Sequence, residues 1–448
     1  MLNTRQKLEN FFLFYLLLNP FLDLVGGIYL RVSTLLAREP LYDMITPVLA
    51  LRMMVLLLFA FYALRTMDKK IIFTILPIGV AWLLSLIGEF LFLEEFSLFA
   101  DIQYIAKFVY NVAVLLVYWR FCQHSGLTPK QLLDKADWYV GVTLLILAGS
   151  ILLSYVFGLG YATYGDRFGV SGSRGFFYSG NDITAVLMLL LPLALTAYLR
   201  LEGKPAAKIR LFWLLPPAVT IAALLIISTK TSFIAVGIVL LTFFFYTWFQ
   251  GRKAKDYRLL RRFGMVVLTF AGIFILISLA SQAALFFDIG FSLGKLRRIQ
   301  ESTGLDGLLF SGRQDILHDV VDQFKEGGPF AWLFGIGRGG QKKLIEMDLF
   351  EVVFYYGLTG AVTMLWTYLR VGVDFLKAFF RSAGDIVGVA CFVSLGSTVA
   401  YLIIAGHVLF SVTSGFYFAL VLLYARLHYQ GLEDWHFWKR KSRSAALS

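Results

Sequence analysis

Charge is scarce in this 448-residue chain: only 16% of residues are Asp, Glu, Lys or Arg. Soluble globular chains carry about 25%. The shortage excludes a soluble enzyme, a soluble nucleic-acid-binding protein and a disordered chain, even though a net charge of +12 would otherwise suggest acidic partners. Only two cysteines occur, Cys122 and Cys391. They cannot build a disulfide scaffold, neither has metal-ligand spacing to its neighbours, and both read as packing residues. The five histidines, His124, His318, His407, His428 and His436, are scattered and form no zinc-type cluster. A Gly-x-Ser-x-Gly elbow is also missing, and no convincing repeat relates the two halves of the chain.

What is abundant is apolar surface. Hydrophobic residues make up 58% and aromatic residues 17%, with 43 Phe. A membrane-spanning helix needs about 20 mostly apolar residues. That length predicts twelve spans, at 8–30, 41–64, 71–92, 102–121, 138–159, 181–199, 211–227, 232–249, 265–287, 348–369, 384–405 and 408–424. The tightest breaks fall at Ser228–Thr231 and near Gly406-His407. The first segment is too long for a signal peptide and lacks a small-x-small cleavage site, so it is retained as a helix. Lys and Arg then set the orientation. With a cytosolic N-terminus, 26 of the basic residues fall on the inner side and 13 on the outer side. Both termini are therefore expected in the cytosol. The tail from Arg426, with Trp435, Trp438 and Lys439-Arg440-Lys441, reads as an interfacial anchor on anionic lipid.

The outer segments are mostly short, but 288–347 is long and holds eight basic residues. Loops beyond about 12–15 residues are usually functional or disordered. Within this one, Arg313–Lys325 places Ile316, Leu317, Val320, Val321 and Phe324 on one face and Gln314, Asp315, Asp319 and Asp322 on the other, which predicts an amphipathic helix. Gly312 precedes it and Gly327-Gly328-Pro329 ends it. A shorter helix is expected around Phe291–Ser302. The chain thus divides into a nine-span bundle (1–287), an extracytoplasmic helical cap (288–347), a three-span part of the same domain (348–424) and a basic cytosolic tail (425–448).

Ionisable groups in or near a bilayer are functional candidates by default. Asp23, beside Asn19-Pro20, reads as a structural partner for Arg52. Lys107, Asn111 and Glu89 read as polar contacts within the bundle. The outer face is more specific. Arg174 sits in the Gly-rich approach to the sixth span, Lys230 in Ser228-Thr-Lys-Thr-Ser232, Arg313 at the start of the amphipathic helix, and Arg338 in Gly335-Ile-Gly337-Arg-Gly-Gly340. The carboxylates Glu346, Asp348 and Glu351 follow. Singly, such cations would meet lipid phosphates. Together, cations beside glycines suit a diphosphate, and a neighbouring carboxylate suits proton removal from a hydroxyl. His318 on the cap helix and His407 near the outer face are further candidates.

This constellation resembles the O-antigen polymerase and ligase family of membrane enzymes. The matching pieces are Gly175–Asn181 opening a span, Ser228–Ser232, Gly312-Arg313, and Gly335-Ile-Gly337 followed by Glu346-Met-Asp-Leu-Phe-Glu-Val-Val-Phe-Tyr-Tyr-Gly357-Leu-Thr-Gly360. The last resembles a His-Asn-x9-Gly-x-x-Gly signature with both glycines in register, but Glu346-Met347 replaces His-Asn, so a carboxylate must replace the imidazole. The resemblance spans roughly residues 170–370. It implies an inverting transfer, without metal or other cofactor, of undecaprenyl-diphosphate-linked glycan to a glycan acceptor on the outer face of the bacterial cytoplasmic membrane. A chain-length regulator is an expected partner. On this reading Arg313 and Lys230 hold the diphosphate, Arg174 and Arg338 support them, and Glu346 or Asp348 is the base. Asn181, Gly335, Gly337 and His318 would be supporting residues. The acidic replacement favours a polymerase over a ligase. A lipid-linked oligosaccharide flippase or another secondary transporter is the alternative, because twelve spans with cytosolic ends also suit a carrier.

Overall fold

The structure is a computed structural model that describes residues 4–431, apart from 38–45, 67–68, 94, 167–168, 202–205, 282–288, 293, 296, 299, 302–303, 305–306, 308–309, 311–312, 342–343, 383 and 405. The expected tail beyond residue 431, with Trp435, Trp438 and its basic run, lies outside the described residues. So do parts of two expected segments, 41–45 and 282–288, together with Gly312.

Helices α1 (Thr4–Ala37), α2 (Pro47–Arg65), α3 (Lys69–Phe92), α4 (Leu98–His124) and α5 (Pro129–Val156) lead into a hairpin of β1 (Ala162–Asp166) and β2 (Gly169–Ser173). Then come α6 (Gly180–Leu199), α7 (Ala207–Ile227), α8 (Lys230–Ala254) and α9 (Arg258–Ala280). The cap contributes α10 (Arg313–Glu326) and α11 (Gly328–Phe334), and the chain ends with α12 (Asp348–Arg381), α13 (Ile386–Ile404) and α14 (Ser414–Gln430). Described residues between 289 and 301 are also helical. Among the described residues, 11 helices are long and apolar enough to cross a membrane. The twelfth expected span corresponds to α14, whose 17 residues make it the shortest of the series. This is an all-α, multi-pass membrane protein.

Local chemistry sets the helix starts. Thr46 accepts a hydrogen bond from the Leu49 N–H ahead of Pro47, and Thr128 and Gln131 form a reciprocal cap ahead of Pro129. Both pairings satisfy amide donors that a helix N-terminus leaves open. Helix α6 is the centre of the bundle and is buried along nearly its whole length. The large aromatic content goes into this core. Phe12, Phe59, Tyr110 and Phe416 are fully buried, and their rings meet in tilted and stacked contacts.

Two local expectations change. The segment expected as span 408–424 begins instead at Ser414, and its helix runs on to Gln430, beyond the expected start of the tail. Val408, Leu409 and Phe410 are buried as their hydropathy demands, but side chains claim their backbone. The Asp348 carboxylate accepts the N–H groups of Val408 and Leu409, the latter at 2.6 Å. The Asn111 amide donates to the carbonyls of Leu409 and Ser411, both at 2.9 Å. These bonds replace the i→i−4 ladder, so an apolar stretch becomes a buried loop. The second change is the antiparallel hairpin, which pairs Ala162 with Ser173 and Tyr164 with Ser171 and which hydropathy does not predict.

Asn111→Ala should therefore destabilise the loop without touching any outer charge. It removes the Asn111 donor from the buried Leu409 carbonyl, at about 1–3 kcal/mol, while the Ser411 carbonyl keeps the Gly415 N–H at 3.0 Å. The expected result is a lower unfolding temperature of the purified protein in detergent; an unchanged temperature would remove the loop's dependence on Asn111.

Candidate active site

The cap and the start of α12 are joined by backbone geometry that the glycines permit. At Gly357 helix α12 breaks, with φ 63° and ψ −167°. The break frees the carbonyls of Phe354 and Tyr355, which accept the N–H groups of Ile336 and Gly337, both at 3.1 Å. Gly337 has φ +80°, and a Cβ there would lie 2.2 Å from the Glu89 Cβ. The paired glycine motifs of the sequence thus meet in space, as a docking joint between the cap and α12. Gly335 and Gly337 belong to this joint.

The joint delivers Glu346 and Asp348 to the cap-side end of the bundle. Glu346 has φ +54°, a left-handed conformation uncommon outside glycine. Its N–H donates to Glu351 Oε1 at 3.0 Å, which holds this backbone in place. Strain of this kind persists only where surrounding contacts enforce it. The Glu346 carboxylate accepts a hydrogen bond from Arg313 Nη2 at 2.6 Å. Its side chain is 44% exposed, against 13% for Arg313. Arg313 Nη1 reaches only the Phe310 carbonyl, at 3.5 Å, and its Nε has no partner among the described residues. The guanidinium therefore retains donor capacity.

Asp348 is in a different position. It is fully buried, and one oxygen is committed to the two loop N–H groups. The other lies 3.5 Å from His407 Nδ1. Burial alone would lower the His407 pKa. The interaction with Asp348 and the charges of Glu351, Asp348 and Glu346 outweigh it, raising the value to about 9. Asp348, Glu351 and His407 place ligand-type atoms within 4.8 Å of one another. Within this group the two carboxylates are opposed by His407 and by the Arg338 charge, which lies within reach of Glu351. The trio reads as a charge-balanced buried cluster.

His407 supplies a pH test with a definite sign. Its folded-state pKa is raised above the free value, so its contribution to stability is complete below about pH 6.5 and is lost as pH rises through about 9. A shift from 6.5 to about 9 corresponds to on the order of 3 kcal/mol. His407→Gln should lower the unfolding temperature at pH 6–7, and the difference from the parent protein should shrink above pH 9. A difference independent of pH would contradict the charged cluster.

The other candidate residues separate into three places. Lys230 is the first residue of α8, after Ser228 ends α7 in a left-handed conformation and Thr229 caps α8 through the Ser232 N–H at 3.1 Å. It lies within electrostatic reach of Arg313. A cation at a helix N-terminus opposes the helix dipole, so helix stability does not explain its presence. Arg174 lines a cavity of about 480 Å³ with Asn181, Thr229, Tyr161, Tyr164 and Tyr178. Its guanidinium lies 5.3 Å from the Tyr161 ring centre, and its Nε has no partner among the described residues. Asn181 accepts the Tyr401 hydroxyl on its backbone carbonyl at 3.0 Å. Arg338 is buried against the Tyr104 ring, 3.0 Å from its centre. His318 is exposed on α10. The structure therefore joins Arg313 to Glu346 with Lys230 within electrostatic reach of Arg313, puts Arg174 and Asn181 on the cavity, and places Arg338 under the docking joint.

The expected Asp23–Arg52 partnership is present as a buried ion pair, with Asn19 and Thr413 also accepting from Arg52. Asp182, the neighbour of Asn181, escaped the sequence reading. The signal was there, as an acidic residue in the first turn of the most buried helix.

A family model described as O-antigen ligase like membrane protein matches residues 5–304 and 295–428, nearly the whole chain. No curated protein and no solved structure matches it.

Proposed function

The chain belongs to the O-antigen ligase like membrane proteins, and from that premise we propose that it polymerises undecaprenyl-diphosphate-linked oligosaccharide units on the outer face of the bacterial cytoplasmic membrane. The observation that carries the reading is the Arg313–Glu346 pair at 2.6 Å with Lys230 within electrostatic reach. A cation with spare donors and an accessible carboxylate stand side by side where the cap meets the bundle. In this reading the cap is extracytoplasmic and both termini are cytosolic, as the distribution of Lys and Arg favours.

The proposed chemistry is a single inverting displacement without metal. The acceptor sugar hydroxyl attacks the anomeric carbon of the donor glycan, and the bond from that carbon to the diphosphate oxygen breaks. Glu346 takes the hydroxyl proton. Negative charge builds on the departing undecaprenyl diphosphate, and Arg313, Lys230 and the open N–H groups at the start of α8 oppose it. Glu346 is assigned as the base rather than Asp348, because one Asp348 oxygen is tied to two backbone amides and the residue is sealed from a substrate. Arg174, on the adjoining cavity, is assigned to the glycan side of the donor.

Membranes carrying Arg313→Ala should accumulate single lipid-linked repeat units and lose long chains, as read by gel and mass analysis of extracted glycolipids. Unchanged chain length would overturn the assignment. A flippase would be favoured instead if the units in cells lacking the protein remained on the cytosolic leaflet, protected from a membrane-impermeant glycosidase.

A further inference from the structure

The 480 Å³ cavity beside Arg174 adjoins a second chamber of about 210 Å³, the two sharing Leu30, Tyr178 and Ser179 in their walls. Volumes of this order suit a ligand of several rings. Asp23, Arg52, Lys107 and Asp182 line the inner chamber together with the hydroxyls of Thr46 and Thr413. Lys107 sits nine residues into α4, about 13 Å along the helix from its cap-side start. A polar chamber at that depth in a spanning bundle is a functional feature by default.

The four charged groups of the chamber differ in how they are satisfied. Arg52 donates from both terminal nitrogens, to Asp23, Asn19 and Thr413, and only its Nε is without a partner among the described residues. Asp182 receives the Ser414 hydroxyl at 3.4 Å and lies beside the Ser179 cap. Lys107 faces the Tyr104 ring, 4.9 Å from its ammonium, and has Asp182 within electrostatic reach across the chamber. Among the described residues no carboxylate comes within ion-pairing distance of it and no acceptor takes its protons. A cation–π contact compensates only part of withdrawing an ammonium from water. The ammonium therefore lines the cavity without a hydrogen-bonded acceptor among the described residues.

We propose that this inner chamber is a glycan subsite for an acidic sugar residue, with Lys107 binding the sugar's carboxylate. The inference rests on the glycan-polymerase reading above and adds the class of sugar that the repeat unit carries. Asp182 and the chamber hydroxyls would receive and donate hydrogen bonds to the ring hydroxyls, and Tyr178 offers an apolar wall at the junction of the two chambers. Lys107 lines the inner chamber, whereas Arg174 lines the outer one, and the role assigned to it is selection of substrate.

The test uses the full-length protein in detergent and two matched probes, methyl glucuronide and methyl glucoside, with inorganic phosphate as the third arm. Methyl glucuronide should bind at least tenfold more tightly than methyl glucoside. Lys107→Gln should remove that preference, the loss of a charge-assisted hydrogen bond corresponding to roughly tenfold or more. Gly26→Leu, which narrows the chamber while leaving the cation, should weaken both sugars. Equal binding of the two sugars to the parent protein overturns the proposal, as does inorganic phosphate displacing the glucuronide at equal concentration. The function itself is read separately from chain length in Arg313→Ala membranes. If that variant loses polymer while the parent protein shows no glucuronide preference, the subsite fails and the polymerase reading stands. If Arg313→Ala makes full-length polymer, the polymerase reading fails whatever the sugar preference.

Discussion

Glu346→Gln should slow glycosyl transfer by about 10²–10⁴-fold, the range over which a positioned general base acts, while substrate binding is retained. Gln keeps the size of the side chain and removes only its capacity to take the hydroxyl proton. It also releases Arg313 from its ion pair, so affinity for the donor should hold or rise. The expected split is a collapse of kcat with KM unchanged or lower, a pattern that mere misfolding does not produce. Asp348→Asn provides the contrast. Its carboxylate anchors the Val408–Leu409 loop and faces His407, so the variant should reduce the yield of folded protein, with the surviving fraction turning over far better than Glu346→Gln. If Asp348→Asn folds normally and is the slower enzyme, the base is misassigned. Turnover of lipid-linked donor by purified protein, normalised to folded material, separates the two.

That distinction shows where sequence information runs out. Glu346 and Asp348 are two residues apart and chemically alike, and spacing could not rank them. The ranking comes from contacts distant along the chain, since Asp348 is occupied by amides 60 residues away and Glu346 by an arginine 33 residues before it. The membrane class and most of the spans were legible, because hydropathy over about 20 residues is a local property. The 408–413 loop was not, because its backbone bonds go to Asn111 and Asp348, which no local window contains. The glycine motifs were visible as spacing, but their purpose required Gly357 to break α12 against Ile336 and Gly337. Arg338 looked equivalent to Arg313 by its position between glycines. Its stacking on Tyr104 follows from the placement of α4, which its own neighbours do not specify.

The cations assigned to the leaving group should also show a shared target. Arg313→Ala and Lys230→Ala are each expected to lower the rate of transfer by roughly 10²–10³, by analogy with the loss of one preorganised donor at a developing oxyanion. Arg313 projects from the first turn of α10 and Lys230 from the first turn of α8, so cap and bundle each supply one side of the clamp. Groups that stabilise the same charge are not independent, and the double variant should be much less impaired than the product of the two single losses. Arg313→Lys should recover only part of the rate, because an ammonium lacks the planar fork that grips two phosphate oxygens at once. If the two losses multiply fully, the residues act on different steps, and the clamp spanning cap and bundle is wrong.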